Sequence, residues 1–225
     1  MRDRSFVFSN RPARAVGVVR PAAGWLGRTL AASVLFAGLT VLAHAQSPMD
    51  LARVRGTLVA ASATTLRIQP NAGDPVDVRV GQDTRVARVT QAELADIKSG
   101  SYIGTAAIPQ ADGSLKALEV HVFDESMRGA GDGHRGWDLG TNGSMTNGTV
   151  GDLVVSDGRT ITVRYKNGEQ KIVVPQGAPV VRLAPGDKSA LVPGAHVFVL
   201  AHRNDDGSLS ALSVSVGEHG LVPPM

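Results

Sequence analysis

Apolar and polar residues alternate with a period of two along several stretches of the chain. The clearest are Thr65–Ile68, Val76–Val80 and Thr160–Tyr165. A period of two is typical of β-strands that bury one face and leave the other in water. Turn dipeptides that suit hairpins separate these stretches, namely Asp112-Gly113, Asp157-Gly158, Asn167-Gly168 and Asp206-Gly207. The pattern predicts antiparallel β-structure.

One short segment departs from this pattern. Gln91–Ile97 has helical spacing, with Thr90 as the expected N-cap and Glu93 as its capping-box partner. We therefore expect a single turn of helix within an otherwise all-β chain.

An internal repeat organises the chain. At an offset of 94 positions, eight of the eleven residues of Asp112–Val122 are identical to those of Asp206–Val216. Tandem duplication is the simplest reading, with repeats over 51–124 and 147–217. Each repeat has about 70 residues, enough for a small closed β-structure with its own core.

The expected fold is all-β, with two tandem small antiparallel β-barrels of the OB or SH3-like kind. Each repeat carries six short strands, with the helical turn between the fourth and the fifth. Closing a sheet into a barrel also removes exposed edges. We expect the repeats to collapse separately and to dock through residues 125–146, called the bridge below; residues 218–225 form a C-terminal tail.

The first 45 residues are typical of a signal peptide. Six arginines precede an uncharged run from Thr29 to Ala43, and small residues surround a cleavage point near Ala45. A transmembrane anchor is the alternative. Fifteen helical residues span only about 22 Å, however, against roughly 30 Å of hydrocarbon. We expect cleavage, a periplasmic or secreted protein and no stable membrane anchor.

Charge and cysteine content narrow the function. Removal of the leader leaves 17 basic and 19 acidic side chains, a net charge of −2, so the sequence pI of 9.6 belongs mostly to the leader. Nucleic acid is therefore not an expected partner. The absence of cysteine excludes disulfides, a thiolate nucleophile, a cysteine zinc site and a lipoprotein anchor.

The terminal strand pattern Asp-Gly-Ser-Leu-x-Ala-Leu-x-Val-x-Val resembles that of a family of exported bacterial proteins with OB-like domains of unknown function. The segment from Met127 through Gly133–Asp138 to Asn147 adds to the resemblance. The resemblance covers nearly all of the chain after the leader. It implies a β-barrel module and an envelope location, and it brings no established activity or catalytic residues.

The bridge is the segment with the most candidate chemistry. Seven glycines occur between Gly129 and Gly148, a composition that suits a flexible linker. Large and charged residues interrupt them, and the candidate binding set is Arg128, Asp132, His134, Arg135, Trp137 and Asp138. One reading is interdomain packing, with Trp137 wedged between the barrels and Arg135 paired with Asp138. The other is an anion site made by the arginines and glycine amides.

Metal binding and catalysis find weak support. His121 and His134 are the candidate metal ligands, but their spacing matches no familiar ligand pattern. Strand parity places His121 opposite the apolar face of its strand, which predicts a solvated or loop-facing side chain. No nucleophile elbow or phosphate loop occurs, so we expect no catalysis and no cofactor.

The sequence therefore favours an exported, non-catalytic binding or structural module of the cell envelope. Its partner is an unidentified envelope protein or glycan. The alternative is a periplasmic protein that binds a small anion or a metal through the bridge.

Overall fold

A computed structural model of the chain describes residues 50–154 and 159–225, which fall within one compact unit, Ser47–Met225. The expected leader over 1–45 and the turn Asp157-Gly158 lie outside the described residues. Within the described residues the fold is all-β, as predicted, and its only helical elements are three single 3-10 turns.

Six strands precede the bridge and six follow its short strand β7. The strands of the first half are β1 (Leu51–Ala61), β2 (Thr65–Pro70), β3 (Val76–Arg79), β4 (Arg85–Gln91), β5 (Tyr102–Pro109) and β6 (Leu115–Phe123). The remaining strands are β7 (Gly133–Gly136), β8 (Ser144–Val154), β9 (Thr160–Tyr165), β10 (Gly168–Val173), β11 (Val180–Pro185), β12 (His196–Arg203) and β13 (Leu209–Gly217). The 3-10 turns are Leu94–Asp96, Glu125–Met127 and Lys188–Ala190.

The two halves carry matching elements at the offset seen in the sequence. Leu94–Asp96 and Lys188–Ala190 are 94 residues apart, and so are β5 and β12, and β6 and β13. The helical turn lies between the fourth and fifth strands, as expected. It is shorter than predicted, and its N-cap is Glu93 rather than Thr90. The prediction of Thr90 as the N-cap is wrong because Thr90 belongs to β4, where it pairs with Arg182.

Strand pairing joins all thirteen strands in one sheet that closes on itself twice. In the first ring, β1, β2, β3, β13 and β12 pair in that order, and β12 returns to β1. In the second ring, β8, β9, β10, β6 and β5 pair in that order, and β5 returns to β8. Each ring contains one parallel pair, β3–β13 or β6–β10.

Each ring takes strands from both repeats, which differs from the expected boundaries at 51–124 and 147–217. Three strands come from one repeat and two from the other. The chain passes from one ring to the other through β4 and through β11. These two strands pair with each other, and they lie between β6 and β13 in the sheet. Because the repeats have such similar strands, the alternation pattern cannot show which copy supplies the partner.

Two apolar clusters fill the rings. The cluster of the first ring includes Leu58, Leu66 and Val78 from the first repeat with Val199 and Val214 from the second. The second cluster combines residues of β5 and β6 with residues of β8, β9 and β10. Each core thus depends on both repeats, so neither repeat buries its own apolar face alone.

A third cluster lies between the rings, and we call this region the seam. Its buried members are Val89, Tyr102, Phe123, Val181, Leu183, Phe198 and Met225. Met127, Ala130 and Trp137 of the bridge pack against it.

A chain cut in the bridge tests the shared rings. Fragments 47–140 and 141–225 each lack strands of both rings, so we expect neither to unfold cooperatively alone and their mixture to regain a cooperative transition. Circular dichroism during thermal unfolding measures this. A monomeric fragment with its own sharp transition would show that a repeat closes its ring unaided.

Candidate functional site

A cavity of about 520 Å³ lies at the seam. It is lined by β4, β6, β8, β11, β12 and β13 together with the bridge. Cavities of this size accommodate small organic ligands. Both repeats therefore contribute to one site.

The inner part of the cavity is apolar. Buried side chains of Phe123, Leu183, Phe198 and Met225 line it. The indole of Trp137 is 6.0 Å from the Phe198 side chain between centroids, at an interplanar angle of 47°. A ligand with an apolar body gains free energy by leaving water for such a surface.

Every charged side chain that lines the cavity is basic. Arg85, Arg128 and Arg135 contribute guanidinium groups, and none of the described residues that line the cavity is an aspartate or glutamate. All three arginines are solvent-exposed residues, so their side of the cavity is open to solvent. The cavity therefore has a basic, hydrated side and an apolar interior.

The arginines differ in how far the protein compensates their charge. Arg128 Nη2 donates to Glu125 Oε2 at 2.7 Å and to the carbonyl oxygen of Gly100 at 2.9 Å. Among the described residues, Arg135 Nη1 donates only to the carbonyl oxygen of Gly131, at 2.8 Å. Desolvation, with the nearby charge of Arg53, lowers the pKa of Arg135. An anion beside Arg135 would relieve this repulsion.

A buried carboxylate and histidine pair stands on β6. Glu119 Oε2 and His121 Nδ1 are 3.0 Å apart, and both residues are almost fully buried. The backbone N–H of Ala106 donates to Glu119 Oε1 at 3.0 Å. His121 does lie opposite the apolar strand face, but the expectation that it is solvated is wrong. The second face of β6 is covered at the seam, where the side chain meets Phe123 edge-on with centroids 4.9 Å apart.

Two buried polar atoms at the cavity make no hydrogen bond within the described part of the chain, namely Trp137 Nε1 and Asn147 Oδ1. Arg53 Nε makes none either, but it forms an ion pair with Asp138 Oδ1 at 3.8 Å. Trp137 and Asn147 line the cavity. Buried polar atoms are usually paired with protein, water or ligand, so these atoms indicate where a ligand can bind.

The structure brings Arg128, Arg135 and Trp137 of the predicted set to the cavity and places the other three elsewhere. Asp132 Oδ1 accepts from the backbone N–H of Lys166 at 3.0 Å. His134 stacks on Tyr165, with centroids 6.2 Å apart, and its Nδ1 is 2.8 Å from Thr146 Oγ1.

Asp138 does not pair with Arg135, so that expected ion pair is wrong. Both of its carboxylate oxygens accept from Arg55 at 2.8 Å, and this hydrogen bonding lowers the pKa of Asp138. The bridge folds back onto β1, where Arg53 also lies over Trp137, 4.2 Å from the indole centroid. Proximity in sequence suggested Arg135, but the strand β1 supplies a bidentate partner.

Sequence reasoning missed Arg85, Asn147 and Phe198 and misjudged His121. Arg85, Asn147 and Phe198 stand in strands whose local pattern is ordinary, and only the packing of the two rings brings them together. The one available signal was Glu119, the single acidic residue of β6.

Comparison of the chain with protein-family models, curated proteins and solved structures found no match. Among residues 50–154 and 159–225, no group of three or more potential metal ligands is clustered. No helix in this part of the chain has the length and apolarity to cross a membrane.

The pKa of Tyr102 reports the contact between the bridge and the seam. Burial and the carboxylate of Asp132 raise it to about 12. In a Tyr165→Phe variant, ultraviolet titration should show Tyr102 ionising near this value, and Asp132→Asn should lower it. Because unfolding frees the phenol to ionise near 10, stability should fall between pH 10 and 12. A midpoint near 10 in the folded protein would mean that the bridge leaves Tyr102 exposed.

Proposed function

We propose that this protein is an exported, non-catalytic binding module whose seam cavity holds a small organic anion with an apolar body. The observation that carries the proposal is the lining of the cavity, where three arginines and no acidic side chain border an apolar interior. We further propose that the two five-stranded rings are OB-like barrels, which is the fold expected from the resemblance.

The two halves of such a ligand are recognised by different forces. A charge-assisted hydrogen bond from an arginine contributes about 1.5–3 kcal/mol. Burial of the apolar body contributes roughly 25 cal/mol per Å² removed from water. The arginines fix the orientation of the ligand because its charged end stays on the hydrated side.

Binding without catalysis is supported by the surroundings of His121. Its one hydrogen-bond partner in the described part of the chain is Glu119. Activation of a nucleophile of the protein requires a base within hydrogen-bond reach of its hydroxyl, thiol or amine, and His121 makes no such contact among the described residues. A ligand should therefore leave the protein unchanged.

Export is supported by the leader pattern of residues 1–45 and by the resemblance to exported bacterial proteins.

Decanoate is a suitable first probe of the cavity. We expect isothermal titration calorimetry to show binding of decanoate and none of decyltrimethylammonium, because the arginines repel a cation. Arg85→Gln and Arg135→Gln should each weaken binding about tenfold, as loss of one charge-assisted contact predicts.

Arg67→Gln is the matched control, since Arg67 is an exposed arginine that pairs with Asp77 away from the cavity. It should leave the affinity unchanged. Equal weakening by all three substitutions, or equal binding of anion and cation, would contradict a specific anion site. Recovery of chemically altered decanoate would contradict binding without catalysis.

Export can be tested separately. Mass spectrometry of the protein from the periplasm of a bacterial host should give a chain that begins at Gln46, and Ala45→Arg should block cleavage. An intact chain beginning at Met1 in the membrane fraction would show a retained anchor instead.

A further inference from the structure

One wall of the cavity presents a hydrogen-bond acceptor without a donor. Asn147 is only 5% exposed, and its Nδ2 donates to the carbonyl oxygen of Ala130 at 3.0 Å. That bond fixes the orientation of the amide and leaves Oδ1 buried without a partner among the described residues. An acceptor in this state calls for a donor from a bound molecule.

His121 Nε2 occupies the same small volume. Gly104 lies directly opposite His121 in the β5–β6 pair and directly opposite Asn147 in the β5–β8 pair. A Cβ atom on Gly104 would lie 2.0 Å from His121 Nε2 and 2.6 Å from Asn147 Oδ1. Both polar atoms therefore occupy space next to residue 104 that only glycine, which has no Cβ, leaves free.

Glu119 sets the hydrogen-bonding role of His121. Its carboxylate already accepts from the backbone of Ala106, and its second oxygen faces His121 Nδ1. A carboxylate only accepts, so Nδ1 donates in this contact. The contact fixes the ring with its Nε2 beside Asn147 Oδ1, and Asn147 Oδ1 is the acceptor left for a donor group of the ligand.

The corresponding positions of the other ring show no such pair. Phe198 lies opposite Ser215 in the β12–β13 pair and opposite Arg55 in the β1–β12 pair, in the same register as Gly104 with His121 and Asn147. An aromatic side chain stands at the position where Gly104 makes room for His121 and Asn147, and the Arg55 guanidinium lies 5.1 Å from its centroid. One wall of the cavity therefore presents the aromatic ring of Phe198, and the other presents Asn147 Oδ1 as an acceptor for a donor group of the ligand.

We infer that the ligand carries an uncharged hydroxyl group that donates its one hydrogen to Asn147 Oδ1, so that the natural class is an apolar hydroxy acid. An ammonium group would also donate, but the three lining arginines repel it. This inference rests on the proposed function, because the acid group of the same molecule binds the arginines.

The test compares decanoate with 3-hydroxydecanoate and 10-hydroxydecanoate by calorimetry on the full chain. At least one hydroxy acid should bind about tenfold more tightly than decanoate, as one well-made hydrogen bond to a buried acceptor predicts. Asn147→Leu should remove this gain, so that the variant binds decanoate and the hydroxy acids with similar affinity.

Ser215→Ala is the matched control, because Ser215 lines the same cavity at the position equivalent to His121. It should preserve the gain from the hydroxyl group. Equal affinity of wild type for decanoate and both hydroxy acids would overturn this inference alone, and so would a gain that survives in folded Asn147→Leu. Absence of decanoate binding would overturn the proposed function as well. If Asn147→Leu fails to fold, the wild-type comparison still decides.

Discussion

Pairing of strands between the two repeats is the constraint on which the rest of the structure depends. The pairs β1–β12 and β5–β8 each join strands from different repeats, and each closes a ring. Since both cores need both repeats, the rings cannot separate without opening their own sheets. The seam is therefore held by main-chain hydrogen bonds through β4 and β11, with side-chain packing added to them.

The shared architecture explains why a single cavity has two unlike walls. Matching elements of the two repeats face each other across the seam, so each wall is built from equivalent strands. Substitutions at equivalent positions then give one side Gly104, His121 and Asn147, and the other side Phe198 and Ser215. Burial of Glu119 and His121 is costly unless their polar atoms are paired. The two side chains contact each other, and Glu119 also accepts from the backbone N–H of Ala106, which meets that requirement.

Three of the six predicted binding residues line the cavity, because the bridge that carries them packs against the seam. Arg128, Arg135 and Trp137 stood out because large residues within a glycine-rich segment need a partner surface. Asp138 stood out equally, yet its partner Arg55 lies 83 positions away in β1. Asn147 belongs to a strand whose pattern gives no reason to select it, because its role comes from the acceptor left unpaired after packing.

The amino-acid sequence by itself determined the all-β class, the strand positions and the helical turn between the fourth and fifth strands. These features follow from period-two alternation and from turn residues, which act over a few neighbouring positions. Only the tertiary structure decided which repeat supplies each closing strand and which side chains meet at the seam. Two similar strands fit the same ring almost equally well, so the choice between them depends on contacts between residues far apart along the chain.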